Sequence, residues 1–432
     1  MSNETFQRNS AALSARWPQL WQRLQCEPGD TLDAQLVEGL GSTLSIDGIQ
    51  LSSRHDRIAE ARAQAQSLPP GQPVLHLYGT GLGDLQRLLL QSPGLATLNV
   101  HILNGAVFLL VLQLLEQHDW LEDPRINLAY ADDREEIALP YFALPAELVL
   151  ADETAGRIRD RLVSENHVAF NNRQFDAQAP DLVARVSSNL PLLRNDPDVA
   201  ELFGSQCGRT ALVVATGPSL ERHYGHLRQA VAAADRPLLI CVDTALRPLL
   251  DQGLEPDIVV TIDKLINDHH LPVGRVSAST QLVYVPMVDP ALLQRWPGPR
   301  FAAYAASAIY AQARQQVPKA DLHVAGSVIH PAVDLAVKMG AAEVVLFGAD
   351  FAFPHGKTHS GWGDGALGPS ATLARHWVLD GHGRRVATQL SFRSYLIELE
   401  RYIADHPQVR FLNTSRDGAM ITGTAFHPEF CP

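Results

Sequence analysis

Five short segments of the sequence place small or polar residues directly after apolar runs. They are Thr216–Leu220 (TGPSL), Asp243-Thr244, Asp263-Lys264, Gly326-Ser327 and Gly348–Asp350 (GAD). Continuous apolar runs are typical of strands in a parallel sheet that is covered on both faces. Because ligands bind beyond the carboxyl ends of such strands, we expect these segments to lie around a binding site.

The sharpest of these segments is Thr216-Gly217-Pro218-Ser219, where the apolar run LVVA meets the predicted start of a helix. Gly217 permits close approach to the backbone, Pro218 suits the first helical turn, and Ser219 offers a hydroxyl and an amide at the positive helix end. These properties predict a site for one phosphate group, and a helix cap without a ligand is the alternative. The segment lacks the lysine and the length of a P-loop, so ordinary ATPase chemistry is not indicated.

Two carboxylates, Asp243 and Asp263, each follow an apolar run. A carboxylate at a strand end can accept hydrogen bonds from the sugar or base of a nucleotide, or it can ligate a metal ion. The alternative is that each aspartate caps the helix that follows it. The residue types alone leave both interpretations open.

A third group of residues, Asp350, His355 and His359, lies in the stretch GADFAFPHGKTHSGW. A proline and a glycine inside this stretch predict a loop, so the histidines do not share a helical face and we assign no metal site to them. Imidazole titrates near neutral pH, and we therefore expect His359 to act as a general base. The adjacent glycine-rich run 361–365 has the composition of a mobile lid.

Strands that alternate with helices predict an α/β fold built from parallel βαβ units. We predict a helical N-terminal segment at 1–70, a smaller Rossmann-like domain with a helical connector at 71–200, a central Rossmann-like domain at 205–365 and a C-terminal helical region at 366–432. The candidate residues described above all fall within the central domain.

The smaller domain contains a glycine turn of its own, Gly79–Gly83, after the apolar run VLHLY. A dinucleotide or S-adenosylmethionine site would need an acidic residue at the end of the next strand, to hold a ribose. The sequence has Leu103-Asn104 at that point. We therefore interpret the glycines as positions where a helix packs closely on a strand.

Composition excludes several classes of function. A net charge of −12 without a cluster of Lys or Arg argues against a nucleic-acid partner. The most apolar run, 106–115, is half of the roughly 20 residues that span a bilayer. The polar N-terminus does not resemble a secretory signal, and four scattered cysteines without a CxxC pair suit a reducing compartment. We expect a cytoplasmic protein without a membrane or nucleic-acid partner.

Three stretches together resemble the motility accessory factor family of flagellin glycosyltransferases. They are VVATGPSL, CVDTALRPLLDQGLEPDIVVTID and AGSVIHPAVDLAVKMGAAEVVLFGADFAFPHGKTH, and FLNTSRDGAMITGT at 411–424 is similar to the closing motif of that family. The resemblance covers about 205–425. The core motifs are shared with 6-hydroxymethylpterin pyrophosphokinase-like proteins.

The resemblance implies a central domain similar to sialyltransferases that use a CMP-activated donor. It implies transfer of a nonulosonic acid, of the pseudaminic or legionaminic type, to Ser or Thr of flagellin, in support of flagellar assembly and motility. By motif, the resemblance places Thr216, Gly217 and Ser219 at the nucleotide phosphate. Asp243 and Asp263 would face the nucleotide, and Gly326, Ser327 and Gly348 would line its site. Asp350 would organise the site. Related sialyltransferases place a tyrosine near Ala352 or Phe353, and this sequence has no phenol there.

Two other functions remain open. A 6-hydroxymethylpterin pyrophosphokinase-like enzyme would use ATP and Mg²⁺, with Asp243, Asp263 and Asp350 directed to the metal; the additional N-terminal domain favours the glycosyltransferase. The second is a non-catalytic binding protein of the same fold. Apart from a divalent cation, Mg²⁺, we assign no cofactor.

Overall fold

The computed structural model describes residues 2–28, 32–39, 42–131, 137–163, 165, 179–374 and 376–431. The chain divides into two compact units, Met1–Asn166 and His167–Pro432. The middle of the predicted helical connector, at 164 and 166–178, lies outside the described residues. Within the described ranges, no helix is long and apolar enough to cross a membrane.

The N-terminal unit combines helices with a small antiparallel sheet and a parallel sheet. Its helices are α1 (Ser2–Arg16), α2 (Pro18–Leu24), α3 (Arg57–Gln66), α4 (Asp84–Leu89), α5 (Gly105–Leu114), α6 (His118–Leu121), α7 (Pro145–Leu150) and α8 (helical at 156–163). Strands β1 (Ala34–Val37), β2 (Thr43–Ile46) and β3 (Ile49–Gln50) are antiparallel. The parallel strands, in spatial order, are β6 (Ile126–Tyr130), β5 (Thr97–Ile102), β4 (Val74–Tyr78) and β7 (Tyr141–Ala143).

The apolar run 106–115 forms most of α5, which is buried in the core of this unit. The side chain of Asn104 caps this helix, because its carbonyl oxygen accepts a hydrogen bond from the Val107 amide at 3.1 Å. Phe108 and Leu112 of α5 pack in the same core as Trp120. The run is therefore a buried helix of a globular unit, as its length predicts.

The C-terminal unit is built around a parallel sheet of eight strands. In spatial order they are β12 (Arg300–Ala302), β11 (Gln281–Tyr284), β10 (Ile258–Thr261), β9 (Leu238–Val242), β8 (Thr210–Val214), β13 (Glu343–Phe347), β16 (Arg410–Asn413) and β17 (Ala425–Phe426). The α-helices are α9 (Pro180–Ser188), α10 (Leu190–Asn195), α11 (Tyr224–Ala232), α12 (Asp243–Asp251), α13 (Pro290–Gln294), α14 (Ala311–Gln316), α15 (Ile329–Lys338) and α16 (Leu390–Ala404). Strands β14 (His376–Leu379) and β15 (Arg385–Thr388) form a separate hairpin.

The strand order reverses between β8 and β13. From β8 the chain proceeds outward through β9, β10, β11 and β12, and it then returns to β13 on the other side of β8. The loops after β8 and β13 consequently run in opposite directions and leave a crevice at the carboxyl edge of the sheet. Helix α15 packs on β8, β9 and β13 directly beneath this point.

The α/β class, the central Rossmann-like parallel sheet and the smaller N-terminal α/β unit are as the sequence predicts. The region 366–432 differs in detail, since it contains α16 and also strands, two of which extend the central sheet beside β13. The buried part of β16 is the short stretch Phe411–Asn413. Three buried residues are too few for a periodic pattern to reveal a strand.

Candidate functional site

A cavity of about 520 Å³, open solvent included, lies where the strand order reverses. We call it the first cavity. Its walls come from the segments after β8, β9 and β13, from the start of α15 and from α16. Its polar lining side chains are Thr216, Thr244, Ser327, Asp350, Thr358, His359 and Tyr395.

The segment Gly217–Ser219, which we call the central glycine turn, directs its amides toward the protein itself. The Gly217 amide donates to the Gly348 carbonyl at 2.8 Å, and the Ser219 amide donates to Asp350 Oδ2 at 2.7 Å. A Cβ on Gly217 would lie 2.4 Å from the Gly348 oxygen, so only glycine fits here. The helix that begins at Pro218 is a five-residue 3-10 helix. The predicted phosphate contact at these amides therefore requires a ligand to replace Asp350.

Thr216 provides a hydroxyl that lines the first cavity, hydrogen-bonded to the hydroxyl of Thr244 at 2.6 Å. Thr244 follows β9, so this pair joins the ends of two adjacent strands. Hydroxyl groups both donate and accept, and a ligand that enters the cavity can bond to either of them.

Asp350 is buried at the centre of this arrangement, with a relative exposure of 2%. Burial raises the pKa of its carboxyl group, and hydrogen bonds from Ser219 act in the opposite direction. Its backbone oxygen accepts a bond from the Ala419 amide at 2.7 Å, and a Cβ on Gly418 would lie 2.6 Å from Oδ1. Asp350 thus connects the end of β13 to the central glycine turn and to the segment before β17.

The other two carboxylates occupy different places. Asp243 is the first residue of α12, where Oδ1 accepts from the Thr244 amide at 2.8 Å and Oδ2 accepts from the Thr261 hydroxyl at 2.9 Å. Burial raises the pKa of Asp243 to about 7. Asp263 is exposed and borders a second cavity, and neither aspartate lines the first cavity. Among the described residues, no group of three or more His, Cys, Asp or Glu side chains could hold a metal ion.

Gly326, Ser327 and Gly348 are all placed near the first cavity. Ser327 and Gly348 line it, and Gly326 has a φ of +89° that favours glycine. A Cβ on Gly326 would lie 2.8 Å from the ring of Tyr395, which also lines the cavity. The structure therefore brings this predicted segment to the same place as Thr216 and Asp350.

His359 lines the first cavity, and His355 does not. Burial lowers the pKa of His359 to about 4, so its imidazole is neutral at pH 7. Three buried polar atoms of the lining have no hydrogen-bond partner among the described residues: His359 Nδ1, Thr358 Oγ1 and Asp350 Oδ1. Such atoms are rare in native proteins and indicate a place for a ligand or water. His355 is exposed and lies 3.6 Å from Asp417.

Trp362 connects the glycine-rich run 361–365 to helix α12. Its indole is buried and donates to the Thr244 carbonyl at 3.0 Å, and the guanidinium of Arg247 lies 5.0 Å from the ring. The residues after Trp362, up to 366, are exposed. The run predicted as a lid is thus anchored at one end to α12.

Tyr395 is a lining residue that the sequence did not single out. It lies on α16, and burial raises the pKa of its phenol, so the hydroxyl is protonated at neutral pH. In the sequence it belongs to the apolar stripe of an amphipathic helix, like the buried Leu396 and Leu399. Nothing in that pattern separates a residue that borders a cavity from one in the core.

The glycine turn of the N-terminal unit, Gly79–Gly83, follows β4. Glu147 Oε1 accepts hydrogen bonds from the amides of Thr80, at 2.8 Å, and Gly81. Glu147 is buried, which raises its pKa, and Oε2 has no partner among the described residues. A Cβ on Gly79 would lie 3.1 Å from side-chain atoms of Leu144 and Glu147, so the glycine permits close packing here.

The family comparison concerns the C-terminal unit. Residues 185–356 match the family described as 6-hydroxymethylpterin diphosphokinase MptE-like, about two fifths of the chain. This segment contains β8 to β13 and most of the first cavity. This segment is therefore similar to the MptE-like family, in agreement with the resemblance of the core motifs. No curated protein matches the sequence.

Two solved structures are similar to the chain at low identity. One is a MAf glycosyltransferase from Magnetospirillum magneticum AMB-1, with 16% identity, coverage of 100% of this chain and 76% of that chain, and a TM-score of 0.44. The other is a D-isomer specific 2-hydroxyacid dehydrogenase from Lactobacillus delbrueckii ssp. bulgaricus, with 11% identity, coverage of 66% and 86%, and a TM-score of 0.17. Neither TM-score is high enough to assign a function.

Proposed function

We propose that this protein is a cytoplasmic glycosyltransferase of the motility accessory factor type. It transfers a nonulosonic acid, of the pseudaminic or legionaminic type, from a CMP-activated donor to Ser or Thr of flagellin. The observation that carries the proposal is the first cavity, since it lies at the strand reversal and contains buried polar atoms without a hydrogen-bond partner among the residues that the structure describes. A pocket of this kind is the usual place for a nucleotide in an open parallel sheet.

The nucleotide phosphate would lie against the hydroxyls of the cavity. Thr216, Ser327 and Thr358 supply hydroxyl groups from three separate segments of the lining. The phenol of Tyr395, protonated at neutral pH, would donate to the leaving phosphate and so stabilise its charge. This places a phenol in the cavity from α16, although none is present near Ala352 or Phe353.

The transfer itself needs a base for the acceptor hydroxyl. His359 would take the proton while the hydroxyl oxygen attacks the sugar carbon, and the bond to CMP breaks with its electron pair on the phosphate. A neutral imidazole is the form that can accept a proton, and burial keeps His359 neutral. The negative phosphate nearby would raise the pKa of His359 once the donor is bound. Asp350 would act by holding the central glycine turn in place.

The diphosphokinase is the second candidate, favoured by the family match of residues 185–356. Mg²⁺ would need oxygen ligands, and carboxylates are the usual protein ligands. Both carboxylate oxygens of Asp243 already accept hydrogen bonds from the protein. Among the described residues that line the first cavity, Asp350 supplies the one carboxylate, and its Oδ1 has no hydrogen-bond partner there. The geometry therefore supports a CMP-linked donor better than ATP with Mg²⁺.

Nucleotide binding separates these functions. We expect CMP to raise the melting temperature in the presence of EDTA, measured by differential scanning fluorimetry. Stabilisation by ATP with Mg²⁺ and none by CMP would support the diphosphokinase. Stabilisation by neither nucleotide would support a non-catalytic protein of the same fold.

A further inference from the structure

A second cavity lies beside the first in the C-terminal unit, at the ends of β10, β11 and β12. It has a volume of about 970 Å³, open solvent included, against about 520 Å³ for the first. Much of its wall is apolar, formed by Ile262, Leu265, Met287 and Ile309. The proposed chemistry of the first cavity leaves this larger cavity without a role.

The two cavities share a wall. Gly326 borders the second cavity and the next residue, Ser327, borders the first. The ring of Tyr395, which lines the first cavity, packs against Gly326. Burial and then the charge of Asp263, which borders the second cavity, raise the pKa of Tyr395. The two cavities are therefore adjacent, with Gly326 and the ring of Tyr395 between them.

Lys264 supplies an available positive charge in the second cavity. The other three lysines of the chain are engaged: Lys319 donates to the Asp196 carbonyl, Lys338 to Asp334, and Lys357 to Glu221. The ammonium group of Lys264 makes no hydrogen bond or ion pair with any described residue, and it lines the cavity. Its neighbour Asp263 is turned toward its own loop, where Oδ1 accepts from the Leu265 amide at 2.8 Å.

Tyr310 adds a hydrogen-bond donor to the same cavity. It is 5% exposed, and burial raises the pKa of Tyr310 to about 12, which keeps its hydroxyl protonated. The hydroxyl has no hydrogen-bond partner in the described part of the chain. Within the described ranges, the second cavity thus combines an apolar wall, the unpaired ammonium group of Lys264, the unpaired phenol of Tyr310 and the exposed carboxylate of Asp263.

We propose that the second cavity holds the sugar-acid half of the donor and that Lys264 pairs with its carboxylate. This inference rests on the proposed function and deepens it. The acyl groups of the sugar lie on the wall formed by Met287 and Ile309, and Tyr310 donates to a polar oxygen of the sugar. A neutral sugar would leave the ammonium group unpaired, so Lys264 selects sugar acids over neutral sugars.

The test measures binding of CMP and of intact donors by isothermal titration calorimetry without an acceptor. The donors are the CMP-activated forms of pseudaminic, legionaminic and N-acetylneuraminic acid. We expect wild-type protein to bind at least one donor more tightly than CMP. Lys264→Met should weaken the binding of that donor by about 10- to 100-fold, which is the contribution of a charge-assisted hydrogen bond. The affinity for CMP should not change.

Three further variants make this test specific. Lys264→Arg retains the positive charge, so it should still bind the intact donor more tightly than Lys264→Met does, although less tightly than wild type. Asp263→Asn removes a neighbouring negative charge and should strengthen binding of the intact donor. Arg275→Met removes a positive charge from an exposed ion pair with Asp251 that borders neither cavity, and it should change neither affinity.

The possible failures are distinguishable. The sugar-acid site is wrong if CMP binds but no intact donor binds more tightly. It is also wrong if Lys264→Met binds the donor as tightly as wild type does. In both cases the proposed nucleotide site is unaffected. If CMP itself does not bind, the proposed function fails. A melting temperature of Lys264→Met equal to that of wild type verifies that the variant is folded.

Discussion

The glycine turns of the two units have the same construction. Each follows a parallel strand at the point where the strand order reverses, after β4 in the N-terminal unit and after β8 in the C-terminal unit. In each, a buried carboxylate accepts backbone amide hydrogens through one oxygen, Glu147 in the first and Asp350 in the second. The second oxygen of each carboxylate has no partner among the described residues.

The surroundings of the two turns differ. The N-terminal turn borders a cavity of about 290 Å³, where the charged side chains Arg57 and Asp84 pair with each other at 2.8 Å. The central glycine turn borders the larger first cavity, where Thr358 and His359 present polar atoms that have no hydrogen-bond partner in the described part of the chain. Backbone amides at a turn attract an anion, and the protein's own carboxylate can be that anion. A glycine turn alone therefore does not mark a ligand site, and we base our proposal of a binding site on the cavity beside the central glycine turn.

Removal of the imidazole of His359 should have the largest effect. If the first cavity is the catalytic one, His359→Ala should reduce the rate of transfer by about 10²- to 10⁴-fold, because the acceptor hydroxyl loses its base. The stabilisation by CMP should persist. The measurement is incorporation of the sugar into flagellin by mass spectrometry.

His355→Asn is the matched control, because asparagine tolerates the positive φ of 55° at this exposed position. It should retain full transfer. Full activity of His359→Ala would show that His359 is not the base. It would also remove one functional difference between the cavities beside the two glycine turns.

Truncation of the buried carboxylates of Asp350 and Glu147 should lower the free energy of unfolding in both cases but weaken CMP binding in only one. Asp350→Ala and Glu147→Ala each leave backbone amides unpaired, and each should lower the free energy of unfolding by about 1–3 kcal/mol. Only Asp350→Ala should also reduce the stabilisation by CMP, because Asp350 holds the turn that borders the first cavity. Urea titrations with and without CMP measure both quantities. Equal loss of CMP binding in the two variants would contradict the difference between the turns.

The smallest effect concerns the pH dependence of stability. Burial raises the pKa of Glu147 above its ordinary value of 4.5. The folded protein therefore binds the proton more tightly than the unfolded chain, and wild type loses stability as pH rises from 4.5 through the folded-state pKa.

Glu147→Gln lacks this titration. The unfolding free energy of wild type relative to Glu147→Gln should therefore fall as pH rises above 4.5 and level off above the folded-state pKa of Glu147. Urea titrations at several pH values measure this slope. A difference that stays constant with pH would show that Glu147 is not buried as a carboxyl group.

The sequence predicted the residues around the first cavity better than it predicted their partners. Thr216, Ser327 and Asp350 were selected because they follow an apolar run or a glycine, and His359 was selected for its imidazole beside the glycine-rich run; all four line the first cavity. The bond between the Ser219 amide and Asp350 joins residues 131 positions apart, and no local pattern encodes it. Such a contact depends on which strands become neighbours in the sheet.

Asp243 and Asp263 illustrate the same limit. Both follow apolar strands, and their sequence contexts are alike. In the structure one is buried against Thr261 and the other borders the second cavity. The difference is set by the neighbouring strand and helix, β10 and α12, which a single-strand pattern does not contain. The second cavity was missed because its apolar wall comes from four separate segments.

The contact of Asp350 with Gly418 and Ala419 has a consequence for the order of events during synthesis. A ribosome that has released residues up to 360 has supplied β8, β13 and most of the lining of the first cavity. The backbone oxygen of Asp350 still lacks the Ala419 amide that it accepts in the folded protein, and Tyr395 is absent. The nascent protein thus cannot complete the lining of the first cavity until residues 395 to 419 have been translated, so the donor site that we propose there forms late in synthesis.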